Sequence, residues 1–177
     1  MGGISLTELW DIIDENGNAT GRVHERGKPM NKGEYHLTVY VLIENENGEY
    51  LISQRTPNKS SPNMWEFTGG NAIAGDDSLT TVLKEANEEL GIILEPQNGR
   101  MIKHQMRKCI CNHCLADAWL FRQKIDISTV TLAPDETCGA MWASRDKINS
   151  MIDEGTFATW GLFACVDELL EDTQIDC

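Results

Sequence analysis

The stretch GGNAIAGDDSLTTVLKEANEELGI, residues 69–92, constrains the chain more than any other segment. Its spacing predicts a helix from about Ser78 to Leu90, capped by Asp77 or Ser78 and stopped by Gly91. With about 100° of rotation per residue and Leu79 set at zero, Val82, Leu83, Ala86 and Leu90 fill an apolar arc of roughly 100°. Glu85, Glu88 and Glu89 fill a second arc of similar width directly beside it. Three carboxylates therefore stand at the edge of a face that must be buried. Like charges three and four residues apart repel, and Glu88 and Glu89 occupy the last turn, where the helix dipole favours cations. A pattern that overrides both preferences invites a cation. Oxygen ligands without nearby thiolate or imidazole favour Mg²⁺, with Mn²⁺ next. Upstream, Gly69, Gly70 and Gly75 allow the backbone to turn sharply and to approach a ligand closely. Carboxylate-held metal bridging to phosphate oxygens is a way to bind a diphosphate and to stabilise charge as it breaks.

Two Asn-Gly pairs read as hairpin turns. Asn16-Gly17 separates LWDIID from ATGRVHER, and Asn47-Gly48 separates HLTVYVLIE from EYLISQR. A loop, TPNKSSPN, leads to MWEFTGG; residues 100–127 read as further strands, and Met141–Ala143 as a last one. Ser144 is placed to cap a helix over RDKINSMIDEG closed by Gly155, and a final helix covers about Ala164 to Glu171. Strands interspersed with helices imply an α/β (α+β) fold, a mixed sheet with helices packed on it.

The chain's 177 residues suit one domain, 1–177, with no Pro- or Ser-rich linker to divide it. A net charge of −13 argues against binding nucleic-acid polymers. It leaves room for a small phosphorylated substrate, because bound cations reverse the sign of a site locally. Apolar runs are too short to span a bilayer, so no membrane partner is expected. No basic segment leads into an apolar one at the N-terminus, so the six cysteines are expected as reduced thiols in a cytoplasmic protein.

The same segment resembles the Nudix hydrolase box. That box runs Gly, five residues, Glu, seven residues, Arg-Glu, aliphatic, any, Glu-Glu, any, Gly, aliphatic. Here Gly70 opens it, Asp76 stands at the first acidic position, and Lys84-Glu85 stands for Arg-Glu; Ala86, Glu88, Glu89, Gly91 and Ile92 complete it, so the box spans 70–92. Asp76 is one methylene shorter than Glu, and Lys84 lacks the planar fork of Arg, but both keep the charge. The resemblance implies an α/β/α sandwich with a mixed sheet and an N-terminal β-hairpin extension over about 5–30. It implies Mg²⁺-dependent hydrolysis of a small-molecule diphosphate. Glu85, Glu88 and Glu89 would hold the metal, Lys84 and Asp76 would orient its ligands, and Gly69, Gly70 and Asp76 would form the loop against the phosphates. The segments LWDIIDENGNATGRVHERG, GEYHLTVYVLI and MWEFTGG look like the branch close to isopentenyl-diphosphate isomerases. His36 matches the place of a metal-binding histidine in those isomerases. Their catalytic Cys and box-initial His are replaced by Thr68 and Gly70, so hydrolysis is expected over isomerisation. A Nudix fold used as a nucleotide sensor or interaction module is the non-enzymatic alternative, and the N-terminal hairpin could build a homodimer interface by the same analogy.

Other residues carry weaker signals. Family members recruit an acid from outside the box, and Glu136, with Asp135 beside it, is the candidate general base. Glu66 would be a supporting ligand or a solvated strand residue. CICNHC, with Cys109, Cys111 and Cys114 near His104 and His113, suggests zinc, but no second Cys-rich pair follows, so strand cysteines are expected instead. Trp65, Trp119 or Trp160 could stack on a nucleobase, although core packing is the default for such rings. His24 has no evident role.

Overall fold

The computed structural model describes residues 7–109 and 112–171, with the side chains of 108–112 excepted. Its two Asn-Gly turns are built alike. The Asp14 carboxylate accepts from the backbone N–H groups of Asn16 and Asn18 at 2.8 and 2.9 Å, and Gly17 turns the chain at φ 84°. The Asn45 side-chain oxygen does the same for Asn47 and Glu49, with Gly48 at φ 73°. A short polar side chain satisfies the turn amides while glycine takes the left-handed position.

The first turn joins strands β1 (Leu9–Ile13) and β2 (Ala19–Glu25) into a separate antiparallel pair, the expected N-terminal hairpin. The second joins β3 (His36–Glu44) to β4 (Tyr50–Arg55), but these two pair only at Glu44 and Tyr50 before parting. The expected hairpin is therefore a corner. Both edges of β3 are taken along its length, by β6 (Thr68–Asn71) antiparallel and by β8 (Asn112–Arg122) parallel. Strand β4 pairs instead with β5 (Trp65–Glu66) and β9 (Thr137–Ala143), and β7 (Gly99–Cys109) pairs with β8. The result is a mixed seven-stranded sheet.

Among the described residues, three α-helices cover this sheet: α1 (Ser78–Leu90), α2 (Arg145–Asp153) and α3 (Val166–Glu171). Alternate residues of β3 face opposite cores. Val39, Val41 and Ile43 pack with Val82, Ala86 and Leu90 of α1, whereas Tyr40 and Leu42 pack with Ile148, Met151, Val166 and Leu169 of α2 and α3. Burial on both faces explains why β3 reads as an almost unbroken apolar run. The architecture is the expected α/β/α sandwich.

Some boundaries differ. Strand β9 begins at Thr137, four residues before the expected Met141, because its first half is small and polar; Gly139 lies close against Gln54 and Trp65. Helix α3 begins at Val166, and the Ala164 amide is held by the Glu168 carboxylate at 2.6 Å. Among the described residues no helix is long and apolar enough to cross a membrane.

Helix α1 starts at Asp77, whose carboxylate accepts from the Thr80 amide at 2.7 Å, and ends at Gly91, φ 66°. Asp77→Ala removes this cap and is expected to cost about 1 kcal/mol. Urea unfolding monitored by circular dichroism checks it; an unchanged midpoint would show that the cap adds nothing to a helix already fixed by packing.

Candidate active site

Helix α1 presents its acids in graded fashion. Glu88 is exposed, Glu85 is half-buried and Glu89 is 7% exposed. The wall facing them is β6. Gly70 lies directly against the Glu85 carboxylate, so that any Cβ there would overlap it, and a Cβ at Gly69 would meet the Val39 carbonyl oxygen. Gly70 thus lets the sheet wall close on Glu85, and Gly69 lets its strand lie close to Val39. Burial pushes the Glu85 carboxyl up to about 7, with the Glu88 charge adding to it. Burial likewise pushes Glu89 up to about 8, reinforced by Glu85 and Glu66. Two carboxylates held where ionisation is disfavoured constitute a site lacking positive charge.

Part of that charge comes from groups the sequence did not single out. Lys59, in the loop between β4 and β5, forms an ion pair with Glu136 and draws the carboxyls of Glu85 and Glu89 downward. Arg55 donates to Glu66 at 2.8 Å, and the Trp160 indole donates to the other Glu66 oxygen at 3.0 Å. Burial still holds the Glu66 carboxyl above its ordinary value. The Arg55 guanidinium also lies 5.0 Å from the Trp160 ring centre. The N-terminal hairpin reaches this region too: Glu8 and Arg26 pair at 2.6 Å, and both charges are felt by Glu85. Arg55 had a legible signal, as a lone cation ending a buried strand. Lys59 sits in a Pro-, Ser- and Asn-rich loop that reads as ordinary surface.

Lys84 and Asp76 engage each other, at 2.6 Å, rather than one of the glutamates. Asp135 contributes its carbonyl, which accepts from the Thr56 hydroxyl at 3.2 Å. Among the described residues, no three His, Cys, Asp or Glu side chains are gathered closely enough to hold a metal as they stand. The donor set nevertheless fits a hard divalent cation: carboxylate oxygens, those of Glu85 half-buried and those of Glu89 buried, with mutual repulsion that such an ion would relieve.

A NUDIX domain model matches residues 34–162. The chain belongs to the Nudix family. An uncharacterized Nudix hydrolase of Listeria monocytogenes is 31% identical over 152 residues, covering 85% of this chain and 88% of the relative. An isopentenyl-diphosphate Delta-isomerase of Pectobacterium atrosepticum is 28% identical over 161 residues, 88% of this chain and 87% of that protein. The crystal structure of DR0079 from Deinococcus radiodurans superposes with a TM-score of 0.72 at 20% identity, over 94% of this chain and 99% of that one, which supports the fold.

Within this Nudix member, Thr68 is buried and directs its hydroxyl to Ser53 at 3.4 Å. His36 is 1% exposed and stacked under Trp10, ring centres 4.3 Å apart. Its Nε2 meets the Asn71 side-chain oxygen at 3.1 Å, an acceptor shared with the Thr38 hydroxyl. Its Nδ1 faces the His113 backbone without a well-formed hydrogen bond. His36 is thus engaged by Asn71 and Trp10 rather than by the glutamates. The described members of the Cys/His group also diverge. Cys114 is buried beneath Arg107, the His104 Nδ1 pairs with Asp117 at 2.7 Å, and His113 lies against Tyr35. The Cys109 and Cys111 side chains lie outside the described residues. Trp119 donates to the Ser78 hydroxyl at 2.9 Å and stacks near Phe121, as a core ring does.

Burial lowers the His36 imidazole to about 4. Between pH 6.5 and 4 the unfolded chain takes up this proton and the folded one does not. The stability it carries is therefore full above pH 6.5 and is lost as pH falls towards 4, by up to about 3 kcal/mol. His36→Gln is expected to flatten that part of the profile in urea titrations at pH 4 to 7; parallel wild-type and variant profiles would contradict it.

Proposed function

We propose that this Nudix protein is a Mg²⁺-dependent hydrolase of a small organic diphosphate, with Mn²⁺ able to replace Mg²⁺. The observation that carries the reading is the pair Glu85 and Glu89, one half-buried against Gly70 and the other buried, in opposition to their own repulsion. These two, with Glu88 at the solvent rim, would hold the metal. When bound, the metal would supply positive charge to the phosphate oxygens of the scissile group. The chain's own groups do the rest. Gly70 leaves the space that the Glu85 carboxylate fills, and Gly69 the space beside the Val39 carbonyl. The Arg55 and Trp160 donors fix Glu66, so that it adds charge without moving. Glu136, which pairs with Lys59, is the carboxylate that would take the proton from the attacking water. The N-terminal hairpin belongs to the same catalytic unit: the Asp11 carboxylate accepts from the Gly75 amide at 2.7 Å and the Leu9 carbonyl from the Ala74 amide at 2.7 Å. It thereby steadies the turn that leads from Gly70 into α1.

Isomerisation is a second reading, favoured by the likeness to the Pectobacterium isomerase over 88% of this chain. It lacks an acid, because Thr68 is a buried hydroxyl with an ordinary hydrogen-bond partner and Gly70 brings no side chain.

Phosphate release from nucleoside diphosphates, dinucleotides, nucleotide sugars, coenzymes and isoprenoid diphosphates, with Mg²⁺ or with EDTA, tests the proposal. EDTA-sensitive cleavage is expected for one class, and Glu89→Gln should reduce kcat by at least about a hundredfold with the fold intact. Isomerised isopentenyl diphosphate by NMR, or ligand-induced stabilisation without any cleavage, would overturn it.

A further inference from the structure

The loop between β4 and β5, residues 56–64, is tightly made. The Arg55 Nε donates to the Ser60 carbonyl at 2.7 Å and its Nη2 to the Ser60 hydroxyl at 3.1 Å. The Lys59 amide donates to the Thr56 carbonyl at 3.3 Å, and Ser61 and Asn63 adopt φ of 52° and 61°, a region that costs side chains energy. The loop is also tied to the segment carrying Glu136. The Thr56 amide donates to the Glu136 carbonyl at 3.2 Å and its hydroxyl to the Asp135 carbonyl. That segment in turn hangs from the end of α1, where the Ala133 amide donates to the Glu89 carbonyl at 3.1 Å.

These ties deliver one ammonium to the acid cluster. The Lys59 side chain is only 25% exposed and pairs with the Glu136 carboxylate, and its charge is felt by Glu85, Glu89 and Glu66. Arg55, the neighbouring cation, is already engaged by Glu66 and Ser60. Lys59 is therefore the cation that acts on both Glu85 and Glu89 while pairing with Glu136, beside the more remote charges of Arg26 and Arg55. An ammonium and a divalent ion among the same oxygens repel each other strongly in a partly buried site, so the two compete.

We propose that Lys59 is the protein's own counter-ion for the metal site, neutralising Glu85, Glu89 and Glu136 when no cation is bound and opposing the entry of Mg²⁺. The inference rests on the metal-site reading above. It makes Lys59 a determinant of metal affinity, and it couples the 56–64 loop to metal occupancy: the ammonium withdraws as the ion enters.

The test is Mn²⁺ binding to the full chain without substrate, followed by calorimetry or by the electron paramagnetic resonance signal of free Mn²⁺. Lys59→Met should lower the dissociation constant about fivefold or more, while Lys59→Arg, which keeps the charge, stays near wild type. A second measurement needs no variant. Acetylation of wild-type Lys59 by acetic anhydride, read by peptide mass, should rise when Mn²⁺ is added. Unchanged or weaker Mn²⁺ binding in Lys59→Met, or Lys59 acetylation that Mn²⁺ leaves unchanged or suppresses, would overturn the counter-ion role alone. Failure of the wild type to bind Mn²⁺ would overturn the metal-site reading and the inference with it.

Discussion

The packing of α1 on β3 holds the rest of this structure in place. Val82, Ala86 and Leu90 are almost wholly buried against Val39, Val41 and Ile43. Each larger side chain so buried contributes about 1.5 to 3 kcal/mol. Repulsion between helical carboxylates one turn apart costs only a few tenths of a kcal/mol at the surface, and more once they are buried. The apolar seam therefore dictates where the helix lies, and Glu85 and Glu89 are carried to the wall of the sheet whether or not their charges are satisfied. Without a side chain at Gly70 the sheet wall closes directly against the Glu85 carboxylate.

What surrounds the acids follows from that excess of negative charge. Basic groups from separate parts of the chain converge on it: Arg55 at the end of β4, Lys59 in the following loop, and Arg26 in the N-terminal hairpin. In a chain of net charge −13 their gathering here is a local exception to the general acidity. Trp160, at φ 53°, is a bulky residue in left-handed backbone, and its indole secures Glu66. Strain of that kind persists where the surroundings determine the conformation.

The helix, its caps and the inward tilt of its acids were legible in the sequence because they depend on spacing within one segment. Asp77, Gly91 and the 3.6-residue period are local facts. The α/β/α layering was legible through the likeness of the box. Contacts between distant segments were not. Nothing local distinguishes Lys59 from any loop lysine; its place is set by Thr56 bonding to Asp135 and Glu136, nearly eighty residues onward. Lys84 and Asp76, eight residues apart and expected as orienting groups, pair with one another. The β3–β4 turn reads as a hairpin because Asn47-Gly48 is a strong local signal, yet β8 and β6 claim the edges of β3. Strand β9 was legible only in its apolar half, since Thr137, Cys138 and Gly139 carry no alternation.

In the proposed function Glu89 is buried at an electrostatic cost that a bound cation would relieve. Thermal unfolding of wild type and Glu89→Gln at pH 8, each in EDTA and in Mg²⁺, tests it most directly. The variant is expected to be the more stable of the two in EDTA and to gain nothing from Mg²⁺, whereas the wild type gains. A variant less stable than wild type in EDTA, or one stabilised by Mg²⁺ as much as the wild type, would contradict it.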